Sequence, residues 1–183
     1  FNLNELRSQT GYVPQEVFLF SESISENIAF GLKDGSDMER IKEAAKKADL
    51  LSNILSFQDG FDTLLGERGI TLSGGQKQRL SIARALIKNP SILIFDDCLS
   101  AVDTETEENI LNSLKSEMKN KTSIIISHRV SSVKNADKII VLEDGKIAEA
   151  GTHDDLMKEG SVYYDIFQKQ LAEEQKNAVK LAD

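Results

Sequence analysis

The sequence predicts an α/β fold, a mainly parallel sheet flanked by helices, and three observations carry that expectation. Ser91 to Phe95 is an almost unbroken apolar run and Thr122 to Ser127 is a second, as expected of strands buried on both faces. Between them lies a helical stretch, opened by Thr104-Glu105-Thr106-Glu107, with Ile110, Leu111, Leu114 and Met118 on one side. A crossover of that length joins strands in parallel and with right-handed connections, and such sheets bind ligands at the carboxyl ends of their strands.

The remaining elements follow in chain order. Thr10-Gly11-Tyr12-Val13 is a short strand stopped by Pro14, which has no N–H to donate. Ser36-Asp37-Met38-Glu39 has capping-box spacing, and Met38, Ile41, Ala45 and Ala48 then recur at helical spacing. Ser73-Gly74-Gly75-Gln76 is a second such box, opening a helix with Leu80, Ala83, Ala85 and Leu86 inward that ends before Pro90. Lys77, Arg79, Arg84 and Lys88 on this helix read as a solvated face rather than a nucleic-acid patch. Lys138 to Leu142 is a third strand, and Asp144-Gly145 a tight hairpin turn into Lys146-Ile147-Ala148. Thr152 and Ser161 look like N-caps of two final helices, the last of them charged.

Composition narrows the function classes. Hydrophobic residues are 40% of the 183, with 11 glycines besides, which excludes wholesale disorder. A net charge of -8 argues against a partner recognised through its phosphate backbone. Cys98 is the single cysteine, so no internal disulfide forms, and it reads as a small packed residue. The longest apolar runs, such as Ile139-Ile140-Val141-Leu142, are far short of a membrane span. The chain opens at Phe1-Asn2-Leu3 with neither a methionine nor a secretory signal, and reads as cut from something longer.

Four places carry chemistry. Leu72-Ser73-Gly74-Gly75-Gln76 sets two glycines and a hydroxyl at a helix N-terminus, an anion site by its N–H groups and dipole, or else a plain glycine turn. Ile92-Leu93-Ile94-Phe95-Asp96-Asp97 ends a strand in two carboxylates, which hold Mg²⁺ through water and orient an attacking water, or else simply open a turn. His128 follows Ile124-Ile125-Ile126-Ser127 and either contacts a phosphate or is structural. Gln15, after Val13-Pro14, has an amide with the reach for a metal or a water. His153, in Gly151-Thr152-His153-Asp154, reads as structural.

In order and spacing these motifs resemble the nucleotide-binding domain of the ATP-binding cassette (ABC) family, a P-loop NTPase-like fold, from about Leu3 to about Phe167. Leu72 to Gln76, continuing into Lys77-Gln78-Arg79, matches the family's signature motif. Ile92 to Asp96 matches Walker B, Ser100-Ala101-Val102-Asp103 the D-loop, His128 the switch histidine and Gln15 the Q-loop glutamine. The stretch Gly11 to Phe20 with Ser25-Glu26-Asn27-Ile28 looks like the Q-loop region of exporters. Gly66-Glu67-Arg68-Gly69 looks like their X-loop, which touches the coupling helices of the membrane domain.

The resemblance implies a partial ABC ATPase domain over 1–183: a helical signature subdomain over about 21–90, a Walker B to H-loop core over about 91–160 and a C-terminal helix over about 161–183. It implies ATP and Mg²⁺, with Asp96 and Gln15 at the metal and Asp97, His128 and Gln15 catalytic. Ser73, Gly74, Gly75, Gln76 and Asp103 would bind nucleotide. In the family two such domains pair head to tail, as homo- or heterodimers, so the signature would serve the partner's ATP. The parent would be a multidrug- or lipid-type exporter fused to transmembrane domains, with this domain on the cytoplasmic face of a plasma or inner membrane. No nucleic acid is expected.

Two departures stand out. No G-x-x-x-x-G-K-[ST] loop occurs, the only Gly-Lys pair being Gly145-Lys146 followed by Ile147, so the isolated piece is expected to bind Mg-ATP weakly and to be inactive alone. Asp97 stands where the family usually has a catalytic glutamate, about 1.5 Å shorter in reach. That change admits an alternative, a weakly hydrolysing regulatory subunit of a heterodimeric exporter. A DNA-repair ABC ATPase fits less well: only 56 residues separate Gln15 from Leu72, leaving no room for an inserted coiled-coil arm.

Overall fold

A computed structural model describes residues 2–32, 37–66, 72–99 and 104–182, divided into two compact units, Phe1–Ser127 and His128–Asp183. The first unit runs α1 (Leu3–Ser8), β1 (Thr10–Val13), α2 (Ile24–Ala29), α3 (Met38–Lys47), α4 (Leu51–Ser56), a 3₁₀ turn (Gly60–Asp62), α5 (Gly74–Leu86), β2 (Ile92–Asp96), α6 (Thr104–Met118) and β3 (Thr122–Ile126). The three strands form one parallel sheet in the order β1-β2-β3, with Val13 beside Phe95 and Asp96 beside Ile126. Strand β1 ends at Pro14 as expected, and α5 and α6 start and stop where their caps and spacing place them. Helix α3 is capped by Asp37, whose carboxylate accepts the Glu39 N–H at 3.0 Å; Ser36, the expected cap, lies outside the described residues. The core of this unit is built from Leu19, Ile24, Ile28, Ile41, Leu80, Ile82, Leu93, Ile110 and Leu114, all fully buried.

Burial of the strands is less complete than their apolar runs suggest. Strand β2 alternates between buried Leu93 and Phe95 and half-buried Ile92, Ile94 and Asp96. In β3, Ile125 packs on the core while Ile124 and Ile126 are 47% and 49% exposed. The reason is pleating: successive side chains face opposite ways, and β3 is an edge of the described sheet with one face on the core. The third expected strand is real but pairs elsewhere. In the second unit β4 (Ile139–Glu143) forms an antiparallel hairpin with β5 (Lys146–Gly151). Asp144 and Gly145 both take left-handed backbone angles, φ 49° and 73°, as a tight turn of this hand requires.

The second unit adds α7 (Val130–Val133), α8 (His153–Leu156) and α9 (Val162–Ala182). Val130, Ile139, Val141, Leu156 and Tyr163 make its core, with Ile166 and Phe167 packed on them. Thr152 caps α8 through a reciprocal box with Asp155, whose carboxyl the Thr152 hydroxyl holds below its usual range, and Ser161 caps α9 through the Tyr164 N–H at 3.0 Å. His153 is structural here, its Nδ1 2.9 Å from the Tyr163 hydroxyl. No described helix is long and apolar enough to cross a membrane.

Arg79 and Arg84 of α5 and Lys88 just after it are tied inward rather than forming a solvated face. Arg79 donates to the Asp49 carbonyl at 2.9 Å and pairs with its carboxylate at 3.3 Å, and the Lys88 ammonium bonds the carbonyls of Arg7 and Thr10, both at 3.0 Å. Arg84 goes furthest inward. Its guanidinium donates to the Asn27 carbonyl (2.9 Å), the Phe18 carbonyl (2.9 Å) and Asn27 Oδ1 (2.7 Å), and lies under the rings of Phe20 and Phe30 at 5.4 and 5.8 Å. Burial lowers its pKa, yet a guanidinium keeps its charge at neutral pH. Asn27 is 1% exposed, and its amide nitrogen reaches the carbonyls of Phe20, Glu22 and Ser23. One planar fork thus ties α5 to the segment after Gln15 and to α2, which an ammonium cannot match.

Arg84→Met, similar in bulk, takes this donor from the carbonyls of Asn27 and Phe18 and leaves Asn27 Oδ1 with only the Phe20 N–H, and should lower unfolding free energy by about 2–4 kcal/mol. Arg84→Lys should restore less than half. Urea titration of the domain checks both, and an unchanged midpoint in Arg84→Met would show that the fork holds nothing.

Candidate functional site

The parallel register brings the ends of β1 and β2 to one level. Because Val13 lies beside Phe95, the residues that follow, Pro14-Gln15 and Asp96-Asp97, come side by side at the sheet's carboxyl end. Gln15 Nε2 donates to Asp97 Oδ2 at 3.1 Å. Tyr12, opposite Ile94, reaches along the strand to donate its hydroxyl to Asp96 Oδ2 at 2.7 Å. That hydrogen bond raises the phenol's pKa above its ordinary value, so the ring remains a donor at neutral pH. The Asp97 N–H continues the ladder onto the Ile126 carbonyl at 2.8 Å, and the chain then turns left-handed, with Asp97 at φ 44°. Aspartate enters that region more readily than most residues, which helps hold a buried carboxylate at the strand end. Cys98, next in line, is buried, and that burial pushes its thiol up to about 12, which disfavours the thiolate at neutral pH.

The second feature is the start of α5. Ser73 Oγ accepts the Gln76 N–H at 3.2 Å, and the Gln76 side chain returns the bond to the Ser73 N–H at 2.9 Å, so the expected capping box forms. It uses donors of Ser73 and Gln76, while the first N–H groups of the helix have no intrahelical partner and sit at the positive dipole end. Ser73 and Gly74 are exposed. A Cβ on Gly74 would meet nothing within 4 Å, and its φ is not left-handed, so neither space nor backbone conformation in this chain demands glycine there. A glycine unneeded by its own fold fits close approach of an outside group to the backbone.

One residue joins the two features. Gln78 Nε2 donates to the Gln15 carbonyl at 3.2 Å, so α5, Gln15 and Asp97 form a continuous polar chain. Gln78 is buried, and its Oε1 has no hydrogen-bond partner. Sequence reasoning includes Gln78 and Tyr12 only as members of longer motifs and gives neither a role of its own. For Gln78 there was a signal: it shares a stripe with Ser81, Ile82 and Ala85, and a glutamine on a core-facing stripe needs an explanation. Tyr12 had none, because its role comes from strand register. Of the other expected residues, His128 opens the second unit with an exposed side chain. Asp103 with the rest of the D-loop, and Glu67-Arg68-Gly69 of the X-loop, lie outside the described residues.

Among the described residues no group of three or more His, Cys, Asp or Glu is placed to hold a metal ion. Such a donor set among the described residues is unlike a protein cage of the zinc kind. It fits Mg²⁺, which keeps most of its waters and takes one or two carboxylates together with substrate phosphates. Asp96, with one oxygen shared with Tyr12, and the amide of Gln15 are the donors available at the sheet's carboxyl end.

Comparison with known proteins identifies the family and the fold. A family model described as ABC transporter matches residues 2–100. An uncharacterized ABC transporter ATP-binding protein of Bacillus subtilis, YknU, is 52% identical over 170 residues, 93% of this chain and 29% of that protein. An ATP-dependent lipid A-core flippase of Hahella chejuensis is 45% identical over 94% of this chain and 30% of its own. Among solved structures, a bacterial Atm1-family ABC exporter with ATP bound matches at TM-score 0.87 and 43% identity, over 92% of this chain and 30% of that one. The chain therefore spans less than a third of the length of these relatives.

Gly74→Ala separates fold from function at the head of α5. With an open Cβ position and alanine the better helix former, it should leave stability unchanged or raise it by up to about 1 kcal/mol. Thermal unfolding of the variant checks this, and a marked loss would mean that the glycine serves the chain's own packing.

Proposed function

The chain belongs to the ABC transporter family, and from that membership we propose that it is the ATP-binding and ATP-hydrolysing part of a membrane exporter of multidrug or lipid type. The observation that carries the reading is the pair of strand-end carboxylates with the Gln15 amide on Asp97 and α5 tied to Gln15 through Gln78. Asp96 would hold Mg²⁺, which when bound would neutralise charge on the transferring phosphoryl group. Asp97 accepts the proton of the attacking water, and Gln15 orients that water by the same amide that now contacts Asp97 Oδ2. His128 takes the switch-histidine role on its motif match. Ser73 Oγ and the free N–H groups at Gly74 and Gly75 hold the γ-phosphate of ATP bound to a second ABC domain, paired head to tail. Asp103 binds at the same dimer interface.

Coupling to transmembrane domains has its own support. Phe18 and Phe30 are 62% and 63% exposed; Phe20, Glu22, Glu26 and Phe30 frame a shallow pocket region of about 310 Å³ on α2 and the segment before it, and Phe18 stacks edge-on against Phe20 beside it. Aromatic side chains left open in a cluster mark an interaction surface. This cluster sits on the Arg84 fork, so a shift of α5 with the partner's nucleotide is passed to it directly. The domain then lies on the cytoplasmic face of the membrane.

Three variants at two positions in the full-length parent test the reading. Gly74→Asp sets a carboxylate beside a phosphate in a desolvated site and should suppress hydrolysis at the partner's site by at least about 100-fold. Single-turnover assays with one competent site read this, and unchanged turnover there would refute the head-to-tail assignment. Asp97→Asn should abolish turnover with ATP still bound, whereas Asp97→Glu, restoring about 1.5 Å of reach, should raise it. The gain in Asp97→Glu should come with a small loss of stability, since glutamate enters the left-handed region less readily. A fall in rate for Asp97→Glu would show that the backbone already places the shorter base correctly.

A further inference from the structure

We propose that Gln170 is a positioning residue for His128, pinning the backbone from which the histidine projects. The inference rests on the switch-histidine role given to His128 above. Helix α7 begins at Val130, and the residue in its cap position, Arg129, is extended (φ −101°, ψ 129°) and makes no side-chain cap hydrogen bond. The Val130 N–H is the first donor of that helix, on a residue only 4% exposed, and such a donor needs a partner. It finds one forty residues later, where Gln170 Oε1 accepts it at 2.9 Å. The same carboxamide donates from Nε2 to the His128 carbonyl at 2.6 Å.

These two bonds engage successive peptide planes. The His128 carbonyl belongs to the first plane after the histidine and the Val130 N–H to the second, so both are held by one rigid amide. A glutamine carboxamide is chemically a peptide group without a chain, and it pairs here as a neighbouring strand would. The lever matters because the His128 side chain is exposed: packing does not hold the ring, so its direction is set by its backbone. Gln170 itself is held by helix α9, where Tyr163, Ile166 and Phe167 precede it at i−7, i−4 and i−3 on the same face. Those three pack in the cluster that includes Val130, which sets the amide over α7. A half-buried polar residue thus closes an apolar stripe, and a phosphate-sensing side chain gains a rigid mount from the end of the chain.

The test is steady-state ATP hydrolysis by the full-length parent in membranes. Gln170→Glu keeps the acceptor for Val130 but sets a carboxylate oxygen against the His128 carbonyl. It should lower kcat about ten- to a hundred-fold while KM for ATP stays within about two-fold, because misplacing a positioned group costs rate more than binding. Gln170→Ala, which removes both bonds, should lower kcat similarly and speed hydrogen exchange at the Val130 N–H. In a His128→Ala background neither change should cost anything further, an outcome that a merely structural role would not give. An inactive His128→Ala beside a Gln170→Glu of unaltered kcat would overturn the inference alone. Full activity in His128→Ala would overturn the functional reading and this inference with it.

Discussion

The constraint on which the site depends is the register of a short parallel ladder. Parallel strands leave a sheet on the same side, so residues distant in sequence arrive at one edge at one height. With Val13 level with Phe95, and Phe95 level with Ile125, the amide of Gln15 and the carboxylate of Asp97 share a row, 82 residues apart in the chain. A slip of one residue would turn every side chain to the opposite face, so Gln15 would lose Asp97 and Tyr12 would lose Asp96 together. Leu93 and Phe95 guard against that slip, because only this register keeps both of them in the core.

Around the ladder, polar contacts join elements that the hydrophobic effect alone would leave free to slide. Apolar packing is non-directional and fixes which face is inward better than it fixes rotation or height. Arg84 and Gln78 supply direction from one helix, the first toward the aromatic cluster and the second toward Gln15. Arg84 does so without a carboxylate among its hydrogen-bond partners, relying on carbonyls and ring faces, so the charge stays available to the field around α2. The design links the head of α5, where an outside phosphate would be felt, to a surface some distance along the same helix.

Much of this was legible in the sequence, and the misses have physical causes. Caps and breakers act within a few residues, so Pro14, Ser73, Thr152 and Asp144-Gly145 could be read locally, and each does what its chemistry requires. The motifs at Gln15 and Asp96-Asp97 were legible as residues, and the structure adds their contact. Burial of β3 was overestimated because an apolar run tells of composition and not of what lies on each side of the strand. Arg84 was assigned to solvent because charge normally goes there, and only a tertiary arrangement of three acceptors reverses that preference. The left-handed turn at Asp97 and the remote cap from Gln170 are likewise set by distant partners.

Strand β3 has one more consequence. Thr122-Ser123-Ile124-Ile125-Ile126 carries no charge and no proline, and two of its isoleucines are half open to water at the margin of the described sheet. Natural edges are usually blunted by lysine, a bulge or a proline, and none of these lies within the five residues. Handled by itself in concentrated solution, the polypeptide would offer that margin as a template for a strand from another molecule, making its colloidal lifetime a matter of concentration before it is one of temperature.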